Sequence, residues 1–226
     1  MDEQQNLAIE HAVKGKVIYL LAFVALVQFG YPITAYGKAA LVGYQVLYAS
    51  MLAAGVVVGR DSRAHVLTLI GTGILYLTAG MFYAADPSAT WAVFVTYLSL
   101  IPYLGMLIIV LGRFLAIAKT ITRDVMYAAV ALYLLLGAMF VPIYGLLDVL
   151  IPNSLRDSAA PDGVVPWQQL IYFSYTTLTS SGYGDILPVS WWARSLANIE
   201  MIVGMLFIAV VMSRLVALYA AKKEQA

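Results

Sequence analysis

The sequence predicts an all-α membrane protein with six transmembrane helices and one shorter, re-entrant helix between the fifth and the sixth. Three observations lead there. The 226 residues are 62% hydrophobic and only 11% charged, with a mean hydropathy of +0.86, and an ordinary soluble domain carries about twice that charged fraction. Apolar segments of about 20 residues, the length that crosses ~30 Å of hydrocarbon, recur between short polar turns. The basic residues also divide unequally between the two sides that six crossings create.

Spanning helices are expected at 16–36, 38–59, 64–85, 90–117 and 124–150, and a last one at 191–219. The turns between the first five contain Tyr-Pro, Gly-Arg-Asp-Ser-Arg, Asp-Pro-Ser and Thr-Arg-Asp. The first apolar stretch follows Lys14 and Lys16 as a signal peptide would, but it is too long for an h-region and no Ala-x-Ala pattern follows. A polar loop occupies 152–166, and the helix expected at 167–178 is too short to cross.

Charge decides the count of spans. With the N-terminus in the cytoplasm, the inner segments hold Lys14, Lys16, Arg60, Arg63, Arg113, Lys119, Arg123, Arg214, Lys222 and Lys223. The outer ones hold only Lys38, Arg156 and Arg194. A seventh crossing would move the C-terminal basic cluster outside, against the positive-inside rule. The expected division is 1–15 as a cytoplasmic N-terminal segment, 16–123 as a four-helix membrane domain, 124–220 as a second membrane domain and 221–226 as a cytoplasmic tail. Both termini then lie inside a multi-pass plasma (inner) membrane protein.

Composition also excludes functions. A net charge of +1 offers no bulk attraction to nucleic acid. The absence of cysteine removes disulfides, thiol catalysis and Cys-ligated metals. An intramembrane hydrolase would need a base at membrane depth, whereas His11 and His65 both fall near the cytoplasmic edge.

The informative stretch is WQQLIYFSYTTLTSSGYGDILP, residues 167–188. It closely resembles the pore helix and selectivity filter of the tetrameric pore-loop potassium channel superfamily, usually written TTLTTVGYGD. It is similar to the six-transmembrane prokaryotic type. The resemblance implies a C4 homotetramer of this chain and three further copies in membrane lipid. Its central pore would be lined by the backbone carbonyls of Ser180, Ser181, Gly182, Tyr183 and Gly184. Permeant K⁺ would be the only metal, at those residues, and no cofactor is implied.

The chemistry agrees with the residue types. A dehydrated K⁺ needs stacked rings of carbonyl oxygens aimed at one axis, and a regular strand alternates its carbonyls. Glycine reaches the positive-φ conformations that re-aim them, the role expected of Gly182 and Gly184. Ser180 adds a hydroxyl to the innermost ring, and Tyr183 is expected to act as an outward strut. Two positions depart from the family: Ser180 loses the methyl of a threonine, and Ser181 replaces an apolar branched valine with a small polar group. Both weaken the packing behind the filter, so a weakly selective Na⁺ and K⁺ channel is an alternative. A non-conducting membrane scaffold is another.

By position, Tyr172 and Thr176 are candidates to hold Asp185, the filter-following acid, which is otherwise a solvated loop acid. Glu200 lies inside an apolar helix, where an unpaired carboxylate is expensive. It is expected behind the filter, bonded to Ser or Thr hydroxyls of the pore helix with Ser181 among the candidates, or else simply packed between helices. Gly204, 19 residues past Asp185, falls where the family has a hinge glycine, though a glycine there equally permits close packing. Met205, Ile208 and Met212 share one helical face and match cavity-lining positions, or face lipid. In the fourth helix, 92–111 holds no charge. Moving a charge through 100 mV yields about 2.3 kcal/mol, so strong voltage gating by this helix is not expected.

Overall fold

A computed structural model describes residues 3–85, 89–160 and 162–224. Its elements are α1 (Glu3–Val13), α2 (Val17–Gly30), a 3₁₀ turn (Tyr31–Tyr36), α3 (Lys38–Val58), α4 (Arg63–Ala85) and α5 (Thr90–Ile117). After them come α6 (Arg123–Leu150), β1 (Leu155–Asp157), α7 (Trp167–Leu178), β2 (Ile186–Pro188) and α8 (Trp191–Glu224). The molecule is an all-α membrane protein, and six of its helical segments are long and apolar enough to cross a bilayer. The Asp-Pro-Ser turn at 86–88 and the last two residues of the tail lie outside the described residues.

Four differences from the sequence reading are physical. The first expected helix tightens into a 3₁₀ turn at Pro32, because proline lacks the amide that an α-helix needs there. Part of the N-terminal segment is itself helical: Ile9 and Val13 of α1 are buried in the main core. The last helix continues five residues past 219, to Glu224. Finally, the polar loop is tied to residues 186–188 by a short antiparallel ladder, Leu155 to Pro188, Arg156 to Leu187 and Asp157 to Ile186.

One buried cluster joins the first helices to α6. Leu20 of α2, Met51 of α3, Leu69 of α4 and Leu104, Leu107 and Leu111 of α5 pack with Leu135 and Ala131 of α6. In lipid, such packing and close backbone approach replace the hydrophobic effect as the force between helices. The Gly55-Val-Val-Val-Gly59 stretch provides close approach: Gly55 receives Tyr103, whose hydroxyl donates to the Leu52 carbonyl at 2.5 Å, and Gly59 receives Leu69. A second cluster, with Tyr144, Leu155, Phe173, Ile186 and Ala197, surrounds the outer end of α7. By contrast, only 6% of the apolar window of α8 is buried, against 50% in α6. In one chain, α8 is therefore almost bare.

Candidate functional site

The site grows from α7. Twelve residues at 1.5 Å each give about 18 Å, too short for a crossing. Pro166, in extended conformation, opens the helix, and a Schellman motif closes it. The Ser180 amide donates to Thr177 O at 2.9 Å and the Ser181 amide to Thr176 O at 2.8 Å, with Ser180 left-handed at φ +57°. That conformation costs a non-glycine residue on the order of 1 kcal/mol. Gly182 and Gly184 follow at φ +49° and +82°. A Cβ at either would meet nothing within 4 Å, so backbone conformation, not space, calls for glycine there. The residues from Ser180 to Gly184 are all exposed, Tyr183 at 75%.

Behind this segment lies a closed polar network. Glu200 of α8 is fully buried. Its Oε1 is 2.5 Å from Ser174 Oγ on α7, and its Oε2 accepts the Tyr144 hydroxyl of α6 at 2.6 Å. Ser174 Oγ is also 2.7 Å from the Gly137 carbonyl oxygen. A serine hydroxyl has one hydrogen, and a carbonyl only accepts. The Ser174 hydroxyl can donate to Glu200 Oε1 or to the Gly137 carbonyl; when it donates to Gly137, a carboxyl protonated on Oε1 can donate to Ser174 in turn. The α7 hydroxyl that reaches Glu200 is thus that of Ser174; Ser181 does not reach it, its own hydroxyl pairing with Thr179 Oγ1 at 2.9 Å.

The outer end is held separately. The Tyr172 hydroxyl donates to Asp185 Oδ2 at 2.8 Å, and this bond holds the Asp185 carboxyl below the usual carboxylate range. Thr176 does not reach Asp185; its hydroxyl turns back to Phe173 O at 3.0 Å, a local bond open to any helical threonine. The Asp185 carbonyl instead accepts both the amide and the hydroxyl of Ser158, each at 2.7 Å. The Tyr183 ring stacks on that of Tyr172, with centroids 6.3 Å apart and planes at 8°.

On α8, Gly204 is buried against the end of α7, and any side chain there would collide with the Leu178 carbonyl oxygen. Helix α8 runs unbroken through this position. Met205, Ile208 and Met212 are 59%, 51% and 55% exposed. At the far end, the Arg214 guanidinium donates to the carbonyls of Leu115 at 3.0 Å and Ala118 at 3.2 Å, capping the C-terminus of α5.

Sequence reasoning missed Tyr144, Ser174, Gly137, Ser158 and Arg214. For the first two a signal existed, because an acid inside an apolar helix demands buried partners. Its identity needed the packing of three helices. Gly137 is hidden by its ordinariness: it accommodates the Tyr175 ring, which would lie 2.6 Å from a Cβ, and the Tyr175 hydroxyl donates to Leu134 O at 2.7 Å.

The comparisons point the same way. Residues 128–221 match the family described as "Ion channel". The potassium channel protein kcv of Paramecium bursaria Chlorella virus 1 is 36% identical over 94 residues, covering 42% of this chain and 95% of that protein. No solved structure matches. The region matched by the family holds α7, the glycine-bearing turn and the Glu200 network, and this chain covers nearly the whole of a viral potassium channel: the chain is an ion channel, not an enzyme, and belongs to the pore-loop potassium channel superfamily.

Proposed function

We propose that four copies of this chain surround one axis and conduct K⁺ through rings formed by the backbone carbonyls of Ser180 to Gly184. The observation that carries this reading is the exposure of that segment beside an almost bare α8, while everything behind it is bonded and buried. One loop supplies one oxygen per ring, so four loops are needed to replace a hydration shell. A C4 assembly brings them together and gives α8 neighbours.

In this reading each support has a task. Tyr172 and Ser158 hold Asp185 at the outer mouth, and Glu200 holds the pore helix against α6 and α8. Gly204 lets α8 approach the filter base, and Met205, Ile208 and Met212 line the inner cavity. Residues 16–123 form a sensor-like domain without gating charge, 124–220 form the pore domain, and both termini lie in the cytoplasm of a cell with this channel in its inner membrane. Without charge in 92–111, gating is not steeply voltage-dependent.

The test is K⁺ flux into liposomes holding the purified protein. The wild type is expected to carry flux and Gly182→Ala to abolish it, since alanine at φ +49° is strained. Unchanged flux in that variant would favour a path elsewhere in the molecule.

A further inference from the structure

Where α3 ends and α4 begins, the turn between them meets α1 and α5 around a half-open pocket of about 240 Å³. Its walls are Ile9 of α1, Asp61 and Ser62 of the turn, His65 of α4 and Arg113 of α5. All five lie outside residues 128–221, the region matched to ion channels.

The turn fixes an acid and a base against each other. His65 Nδ1 and Asp61 Oδ1 are 2.8 Å apart, and the two side chains are only 17% and 6% exposed. A carboxylate only accepts, so Nδ1 carries the proton of this bond and Nε2 is left for another partner. Among the described residues, His65 Nε2, the Ser62 hydroxyl and the Arg113 guanidinium make no hydrogen bond or ion pair within the protein. Ser62 and His65 are half-exposed without an orphaned buried atom, and Arg113 is exposed, so these donors are open to solvent.

Arg113 is also the first charge after the apolar run 92–111 of α5, which sets it at the membrane boundary, where lipid phosphates lie. Ile109, one turn away on the same face, is 47% exposed. That face is thus apolar toward the hydrocarbon and basic at its edge. With both ring nitrogens protonated, the Asp61–His65 pair is neutral and the Arg113 charge is unopposed. An arginine fork, an imidazole N–H and a hydroxyl then converge from α5, α4 and the turn, a donor set suited to a phosphate oxyanion.

We propose that this pocket binds one phosphate group, presented by the headgroup of an anionic lipid at the membrane surface or by phosphate in solution. Arg113 takes its oxygens as a fork, His65 Nε2 and the Ser62 hydroxyl donate to it, and Asp61 holds the imidazole in place. The site does not rest on the reading of the pore. Binding is measured without conduction, so failure of either leaves the other standing.

The test uses the full-length protein in detergent at about pH 6, below the ordinary imidazole value of about 6.5. Native mass spectrometry counts bound dioleoyl phosphatidylglycerol and dioleoyl phosphatidylcholine, and phosphorus NMR follows inorganic phosphate on the same protein. A lipid source predicts one phosphatidylglycerol per chain, held at least about fivefold more tightly than phosphatidylcholine. A solution source predicts saturable broadening of the inorganic phosphate signal instead. In whichever arm binds, Arg113→Gln and His65→Phe are expected to weaken binding at least about tenfold. Arg60→Gln removes the same charge from the same turn but outside the pocket wall, and is expected to change binding less than about twofold. No saturable binding from either source, or equal losses in Arg113→Gln and Arg60→Gln, would overturn the proposal. Both arginines are exposed, so that comparison stands even if His65→Phe fails to fold.

Discussion

Glu200 Oε1 and Ser174 Oγ lie 2.5 Å apart, joining α8 to α7 immediately behind the Ser180–Gly184 segment. Since Ser174 also contacts the Gly137 carbonyl, a neutral carboxyl at the head of this donor–acceptor chain would satisfy every group in it. Glutamine reproduces that head: its amide donates where the acid donates and accepts where the acid accepts. Glu200→Gln is therefore expected to keep thermal stability within about 1 kcal/mol and to keep conduction. Glu200→Ala strands two buried hydroxyls and opens a void, a loss of about 2–5 kcal/mol. Thermal unfolding of the two purified variants checks this. A glutamine variant as damaged as the alanine would mean the carboxyl is ionised.

Gly204 separates hinge from packing. If the glycine only lent flexibility, alanine would change gating and little else. The Leu178 carbonyl occupies the space of a Cβ, so Gly204→Ala is expected to displace the base of the filter and cost about 1–3 kcal/mol. The checks are thermal stability of the assembly and K⁺ flux, both of which should fall.

External acid is expected to act at Asp185. Its folded value is lowered by the Tyr172 bond, so the clamp's contribution is fully present above the ordinary carboxylate range. It is lost as pH falls through the lowered value. Tyr172→Phe removes the cause of the lowering. The acid midpoint for loss of current is expected to move to higher pH, read from currents at stepped external pH. A midpoint that stays put would assign acid block to another group.

Much of this was legible in the chain. Segment length located the six helices that are long and apolar enough to cross a bilayer, and the 90–117 and 167–178 helices appear with those bounds. Gly182 and Gly184 stood out because their backbone conformation excludes other residues. Three things were not legible. Ser180 is left-handed because it closes a Schellman motif, a position usually marked by glycine. Thr176 was assigned to Asp185 by position alone, and a local carbonyl competes better for its hydroxyl. The Ser158–Asp185 contacts join residues 27 apart in sequence beside a ladder whose three-residue strands carry too little pattern to announce themselves.

Arg214 shows the same limit at the C-terminal end of α8. In the sequence it was one inner cation among ten; folded, it caps α5. Arg214→Gln is expected to fray the last turn of α5, at a cost of about 0.3–1 kcal/mol. Faster amide hydrogen exchange around 115–118 would register it, with no change at α7.

The most direct measurement of the central claim is the bi-ionic reversal potential of the reconstituted protein, with K⁺ on one side and Na⁺ on the other. Carbonyl rings from four copies predict a reversal far from zero, in the direction set by K⁺. A reversal near zero would mean that the Ser180–Ser181 filter does not discriminate, and would contradict the account.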